Sequence, residues 1–336
     1  MPDRDGLDRA GAGDRDGLDR AGAGDRDGLG RAGADRGGLG GSSPRAGTAR
    51  LGVRKTYKLF IGGAFARSES GRSYPVSGTD STALARAAQG SRKDARDAVR
   101  AARAALPGWS AATAYNRGQV LYRVAEMLEG RAAQFAGLIV KSEGLDLPGA
   151  GRVVAAAIDR WVWYAGWPDK VAQVAGSANP VAGPYFSFSV PEPTGVVAVM
   201  APADSSLLGL VSVVAPVIAT GNTAVVVASE RRPLPAVTLA EVLATSDVPA
   251  GVVNMLTGSA AELAPVLAGH MDVNAIDLTG VQPAARGGLE KLAAENVKRV
   301  FAPGGDAAAC DWSAPPGTAR MLAFCETKTV WHPVGI

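Results

Sequence analysis

Five short runs decide the fold: GVVAVMA (195–201), NTAVVVA (222–228), GVVNML (251–256), VNAIDL (273–278) and KRVFA (298–302). All are rich in β-branched residues, as strands of a buried sheet require. Helical segments lie between them at 206–218, 233–243, 260–268 and 283–297. Strands alternating with helices of this length predict parallel βαβ units and an open α/β sheet. Ligands on such sheets sit at the carboxyl ends of the strands. The apolar stretch 196–227 is interrupted by Pro202, Asp204, Pro216 and Gly221-Asn222. A membrane helix needs roughly 20 uninterrupted apolar residues, so this stretch reads as strand, helix, strand.

Upstream, KLFIGGAF (58–65) places strand formers around a Gly-Gly turn and predicts a hairpin. Residues 94–106 and 116–138 carry apolar side chains at helical spacing, with Pro107 expected to end the first helix. A third helix is expected over about 150–165, with Trp161, Trp163 and Trp167 near its end as core residues. Near the amino terminus DRDGLDRAGAG (3–13) recurs letter for letter at 14–24 and in decayed form at 25–34. Each Gly costs a helix about 1 kcal/mol, so this segment is expected to be disordered. It holds much of the excess represented by 43 Gly and 21 Pro in 336 residues.

The 35 Lys+Arg and 32 Asp+Glu leave a net charge of +3, too balanced to indicate a nucleic-acid partner. Two cysteines, Cys310 and Cys325, cannot form a disulfide framework, and no apolar stretch follows Met1. A reducing cytoplasm is therefore the expected location.

The ordered blocks EPTGVVAVMAP (192–202), GNTAVVVASE (221–230), VPAGVVNMLTG (248–258) and DVNAIDLTG (272–280) resemble the cofactor domain of the aldehyde dehydrogenase superfamily. YKLFIGGAF (57–65), PGWS (107–110) and YAGWPDK (164–170) fit the same family, so the likeness covers about 57–305. LAFCETKTVW (322–331) resembles the family's closing oligomerisation strand, which pairs with strands here expected within 171–190. The resemblance implies an α/β fold with a Rossmann-like open parallel sheet of about five strands, flanking helices and a small antiparallel oligomerisation sheet. It divides the chain into a disordered tail and linker (1–56), a cofactor-type domain (57–306), a loop replacing the catalytic domain (307–320) and a closing strand (321–336).

Family members oxidise aldehydes with a Cys nucleophile, a Glu base and an Asn amide facing the oxyanion. In this chain Asp204 stands where the Asn would be, and with Ser205 and Ser206 it is expected to cap the following helix. FAPGGD (301–306) keeps the Gly pair of the base-bearing block but has Ala302 in place of the Glu and Asp306 in place of a Lys. Cys310 lies too close to that Gly pair, and Cys325 lacks the flanking pattern of the nucleophile. No catalytic residue is assigned. The remnants of a cofactor surface are Met200, Pro202, Ser229, Glu230, Gly258, Thr279 and Gly280, with Val227, Val281 and Ala285 replacing a Lys, a Ser and a Gly. NAD is the implied cofactor, since a 2′-phosphate facing Glu230 without the Lys would be repelled. No metal is expected.

These features predict an inactive family member serving as a structural or regulatory subunit, joined by strand pairing to itself or to a full-length aldehyde dehydrogenase. The alternative is an NAD(P)-dependent oxidoreductase acting on aldehydes with catalytic groups from a partner. Neither nucleic acid nor membrane is expected as a partner.

Overall fold

A computed structural model describes residues 53–335. The repeats and most of the expected tail, residues 1–52, lie outside the described residues. In chain order the strands and helices begin with β1 (Thr56–Tyr57), β2 (Leu59–Ile61), β3 (Ala64–Ala66), β4 (Ser73–Ser77), β5 (Ala83–Ala88), α1 (Arg92–Ala111), α2 (Ala114–Glu129), α3 (Ala132–Glu143), α4 (Leu147–Ala165) and α5 (Val171–Ala175). They continue with β6 (Ser177–Asn179), β7 (Tyr185–Pro193), β8 (Val196–Met200), α6 (Leu208–Ala219), β9 (Thr223–Val227), α7 (Leu234–Leu243), β10 (Val253–Leu256) and α8 (Ala260–Gly269). The last are β11 (Ala275–Asp277), α9 (Pro283–Ala294), β12 (Arg299–Phe301), α10 (Ala319–Ala323) and β13 (Cys325–Pro333).

The central sheet has the order β12-β11-β8-β9-β10-β2-β3. Its first five strands are parallel, as expected. The predicted hairpin β2–β3 extends the same sheet, with β2 antiparallel to β10. Its turn is tight: a Cβ at Gly63 would sit 2.7 Å from Ala250 Cβ, and Gly62 N donates to Asn254 Oδ1 at 2.8 Å. Along β8, Val196, Ala198 and Met200 pack on one face with α1 and α8, while Val197 and Val199 pack on the other with α4 and α6. Burial on both faces explains why these strands read as unbroken apolar runs.

Two helix predictions are corrected. α1 does not end at Pro107 but continues to Ala111. Trp109 is buried and its indole Nε1 donates to the Ile218 carbonyl at 3.0 Å, so tertiary anchoring holds the turn that Pro107 weakens. The single helix expected over 116–138 is two, α2 and α3, separated at Gly130-Arg131. Gly118 and Gly137 stay helical within α2 and α3, so the break is set by packing: both halves pack separately against α4. The tryptophans behave as expected: Trp161 is fully buried, and Trp163 and Trp167 pack against the same core.

The closing strand is also where the sequence places it. β13 runs antiparallel to β7 over nine residues, from Cys325 opposite Pro193 to Pro333 opposite Tyr185, and β6 flanks β7. Asn222 ties this sheet to the central one: its Oδ1 accepts from Gly195 N at 2.7 Å and its Nδ2 donates to the Phe324 carbonyl at 2.8 Å. Sheet β1-β5-β4 was not anticipated. Residues 307–320 and the closing strand belong to the same compact unit as the cofactor-type region.

Candidate functional site

At the carboxyl ends of the parallel strands, the loop after β11 crosses the loop after β8. Gly280 N donates to the Met200 carbonyl at 2.9 Å, and a Cβ at Gly280 would lie 2.0 Å from the Ala201 carbonyl oxygen. Only glycine permits so close a crossing. Beside it, α8 and α9 leave an apolar groove of about 530 Å³ lined by Ala264, Pro265, Val281, Ala285, Leu289 and Leu292. That volume falls within the roughly 300–1,000 Å³ of small-molecule sites.

The expected cofactor residues meet this groove unequally. Gly280 lines it, and Gly258 lies just before α8. Glu230 is exposed. The Tyr74 hydroxyl is buried without a hydrogen-bond partner, and burial, then the Glu230 carboxylate, push its pKa far above the usual range, the Gly258 backbone opposing. Tyr74 is thus a buried polar side chain that sequence reading missed. Ser229 is spent on the loop itself, its Oγ donating to the Ala203 carbonyl at 2.8 Å and accepting from Arg232 N at 3.2 Å. The Met200 side chain is in the core, leaving only its carbonyl at the crossing, and Pro202 is buried. Thr279 is buried, and its hydroxyl donates to Asp277 Oδ1 at 2.5 Å and accepts from Arg320 at 2.7 Å.

Arg320 belongs to a set of three arginines that fasten the segment between β12 and β13 onto this end of the sheet. Its guanidinium pairs with the fully buried Asp277 carboxylate and lies 4.4 Å from the centre of the Phe301 ring. Arg286 donates to the carbonyls of Val281 (2.9 Å), Pro303 (2.5 Å) and Gly305 (2.9 Å). Arg160 donates to Ser212 Oγ (2.8 Å) and to the carbonyls of Trp312 (2.8 Å) and Ala314 (2.9 Å), and burial lowers its pKa. One sequence signal could have revealed this network: an acid inside the apolar run VNAIDL needs a buried counter-charge.

The positions that would carry catalysis are otherwise engaged. Asp204 does not cap α6: its Oδ1 accepts from Arg231 at 2.5 Å, and Ser206 donates through N and Oγ to Glu143 at 2.8 and 2.6 Å. The N-cap of α6 is Leu207, which makes no side-chain cap, and Ser205 Oγ accepts from Gly209 N in the first turn at 2.8 Å. The carboxylate of Asp204 is drawn away by the adjacent arginines, which the capping expectation did not weigh. Ala302 offers no base. Cys325 lines a separate cavity of about 560 Å³ with Arg117, Pro193 and Thr220, at the amino ends of β8 and β9. Burial pushes its thiol up to about 11, so it is protonated at neutral pH and a poor nucleophile. Cys310 is exposed at the end of the short turn Ala307–Ala309. Among the described residues there is no cluster of three His, Cys, Asp or Glu suited to a metal ion and no helix long and apolar enough to cross a membrane.

The sequence pattern of the aldehyde dehydrogenase family matches residues 65–310, and the chain belongs to that family. Cytosolic 10-formyltetrahydrofolate dehydrogenase of Xenopus tropicalis is 32% identical over 256 residues, 74% of this chain and 28% of the relative. Aldehyde dehydrogenase, cytosolic 1 of Elephantulus edwardii is 31% identical over 255 residues, 72% of this chain and 49% of the relative. An NAD+ complex of aldehyde dehydrogenase from Bacillus cereus superposes with a TM-score of 0.68 at 25% identity, covering 73% of this chain and 50% of that one. PnpE from Pseudomonas sp. WBC-3 gives 0.69 at 29% identity, with 73% and 50% covered. The chain thus spans half or less of the length of these relatives.

Proposed function

We propose that this chain is a catalytically inactive aldehyde dehydrogenase family subunit that assembles through β13 with itself or with a full-length aldehyde dehydrogenase, and that keeps part of the family's nucleotide site in the α8–α9 groove. The observation that carries the assembly reading is the edge of β13. Among the described residues this nine-residue strand pairs only with β7, so its other side offers backbone groups to another strand. Tyr185, Phe186 and Trp331 stand exposed on the same small sheet. Inactivity is supported by the chemistry available: Asp204 is paired with arginine, Ala302 cannot take a proton, and the Cys325 thiol is buried at the opposite end of the strands.

Co-expression with a full-length aldehyde dehydrogenase followed by size-exclusion chromatography tests the assembly. A shared peak or a homo-oligomer is expected, and a monomer that ignores the partner rejects it. The second reading, aldehyde oxidation using partner groups, is favoured only by the groove. It requires NADH formation, read at 340 nm, when this chain is added to a partner whose own nucleophile has been removed. We expect none.

A further inference from the structure

We propose that the α8–α9 groove is a site for adenosine phosphates from which the second nucleoside of a dinucleotide is excluded by Arg320. The inference rests on reading the groove as the retained part of a nucleotide site.

The groove walls are aliphatic: Val281, Leu289 and Leu292 face Ala264 and Pro265 across it. A flat neutral purine suits such walls, because its two faces are weakly hydrated and gain from burial against aliphatic side chains. A phosphate leading out of the groove toward Gly280 would pass the start of α9, a twelve-residue helix whose N-cap residue Gln282 makes no side-chain capping bond. So far the geometry accepts a nucleotide.

Further along the strand ends it does not. The residue preceding Gly280 is Thr279, and its hydroxyl is already taken by Asp277 and Arg320. Arg320 reaches across the ends of β11 and β12, joined to Asp277 on one side and lying over the Phe301 ring on the other. The segment that delivers it is held by Arg286 at Pro303 and Gly305 and by Arg160 at Trp312 and Ala314. To lie there, a second nucleoside would have to displace a guanidinium and leave the Asp277 carboxylate buried without its partner. The pyridinium of oxidised NAD, itself a cation, would also face that guanidinium. Arg320 is therefore a specificity-determining residue that shortens the site to its adenosine end.

Isothermal calorimetry on the purified full chain with AMP, ADP and NAD tests this directly. ADP is expected to bind, and NAD to bind no more tightly than ADP. Replacing Arg320 alone strands a buried acid, so the second protein is R320A/D277N, in which the amide can still accept from Thr279. That variant should bind NAD at least about tenfold more tightly than the native chain while its ADP affinity stays within about threefold. Ala285→Trp, at an exposed position on the groove wall, should abolish ADP binding with no loss of folded signal by circular dichroism. NAD binding about tenfold tighter than ADP in the native chain overturns the exclusion by Arg320 and leaves the groove as a nucleotide site. Absence of binding by every adenosine ligand, or full ADP binding by Ala285→Trp, overturns the nucleotide reading of the groove and this inference with it. Neither result bears on assembly through β13.

Discussion

Asp277 is a fully buried carboxylate paired with an arginine. Its side chain is fully buried at the end of β11, where one oxygen accepts from Thr279 N and Oγ1 and the other meets Arg320. Removing one partner of a buried ion pair costs about 3–5 kcal/mol, because the remaining charge stays desolvated. Arg320→Ala is therefore expected to lose about that much stability in urea unfolding, and adding Asp277→Asn should recover most of it. Equal losses in the single and double variants would show that packing by the arginine stem, and not charge, holds the segment. Asp204 shows the converse: an acid at an exposed loop is free to change partners, so its neighbours Arg231 and Arg232 took it away from the helix it was expected to cap.

At the scale of elements, α1 illustrates how a local signal and a tertiary one divide a helix between them. Its start is local: Ser91 Oγ accepts from Asp94 N at 3.2 Å, and Asp94 Oδ2 accepts from Ser91 N at 2.8 Å, a capping box. Ser91→Ala should cost about 1 kcal/mol in thermal or chemical unfolding. Asp94 also accepts from Ser68 Oγ and Glu69 N, so Asp94→Ala should cost more than Ser91→Ala; the reverse order would deny the carboxylate its role in joining α1 to the 68–69 loop. Its end is not local. Pro107 predicts a stop, yet the buried Trp109 indole carries the helix to Ala111.

At the scale of the whole molecule, two separate ends of one sheet face different tasks. The carboxyl ends carry the groove and the arginine-fastened segment, and the amino ends carry Cys325 and the sheet that presents β13. Edge strands are commonly blunted by lysine. Trp331→Lys, on the exposed strand, is expected to shift the size-exclusion peak to lower mass while moving the unfolding midpoint little, since surface substitutions usually stay within about 0.5 kcal/mol. An unchanged elution volume would place the contact elsewhere.

The parallel sense of the five strands, the Gly-Gly hairpin and the pairing of the closing strand with the stretch before β8 were legible in the sequence, although the partner, expected within 171–190, is the strand 185–193 and residues 171–175 are helical. What the linear chain by itself determined was therefore which segments are strands and helices, and the family. Only the tertiary structure decided that the hairpin joins the main sheet, that the Tyr74 hydroxyl is buried, and that Arg160, Arg286 and Arg320 close down on the strand ends. These are pairings between residues as far apart in sequence as Phe60 and Met255, or Arg160 and Ala314. Local propensity carries no information about them. They form because burying Asp277, and the backbone carbonyls of a folded-over segment, demands donors that only the packed chain brings within reach.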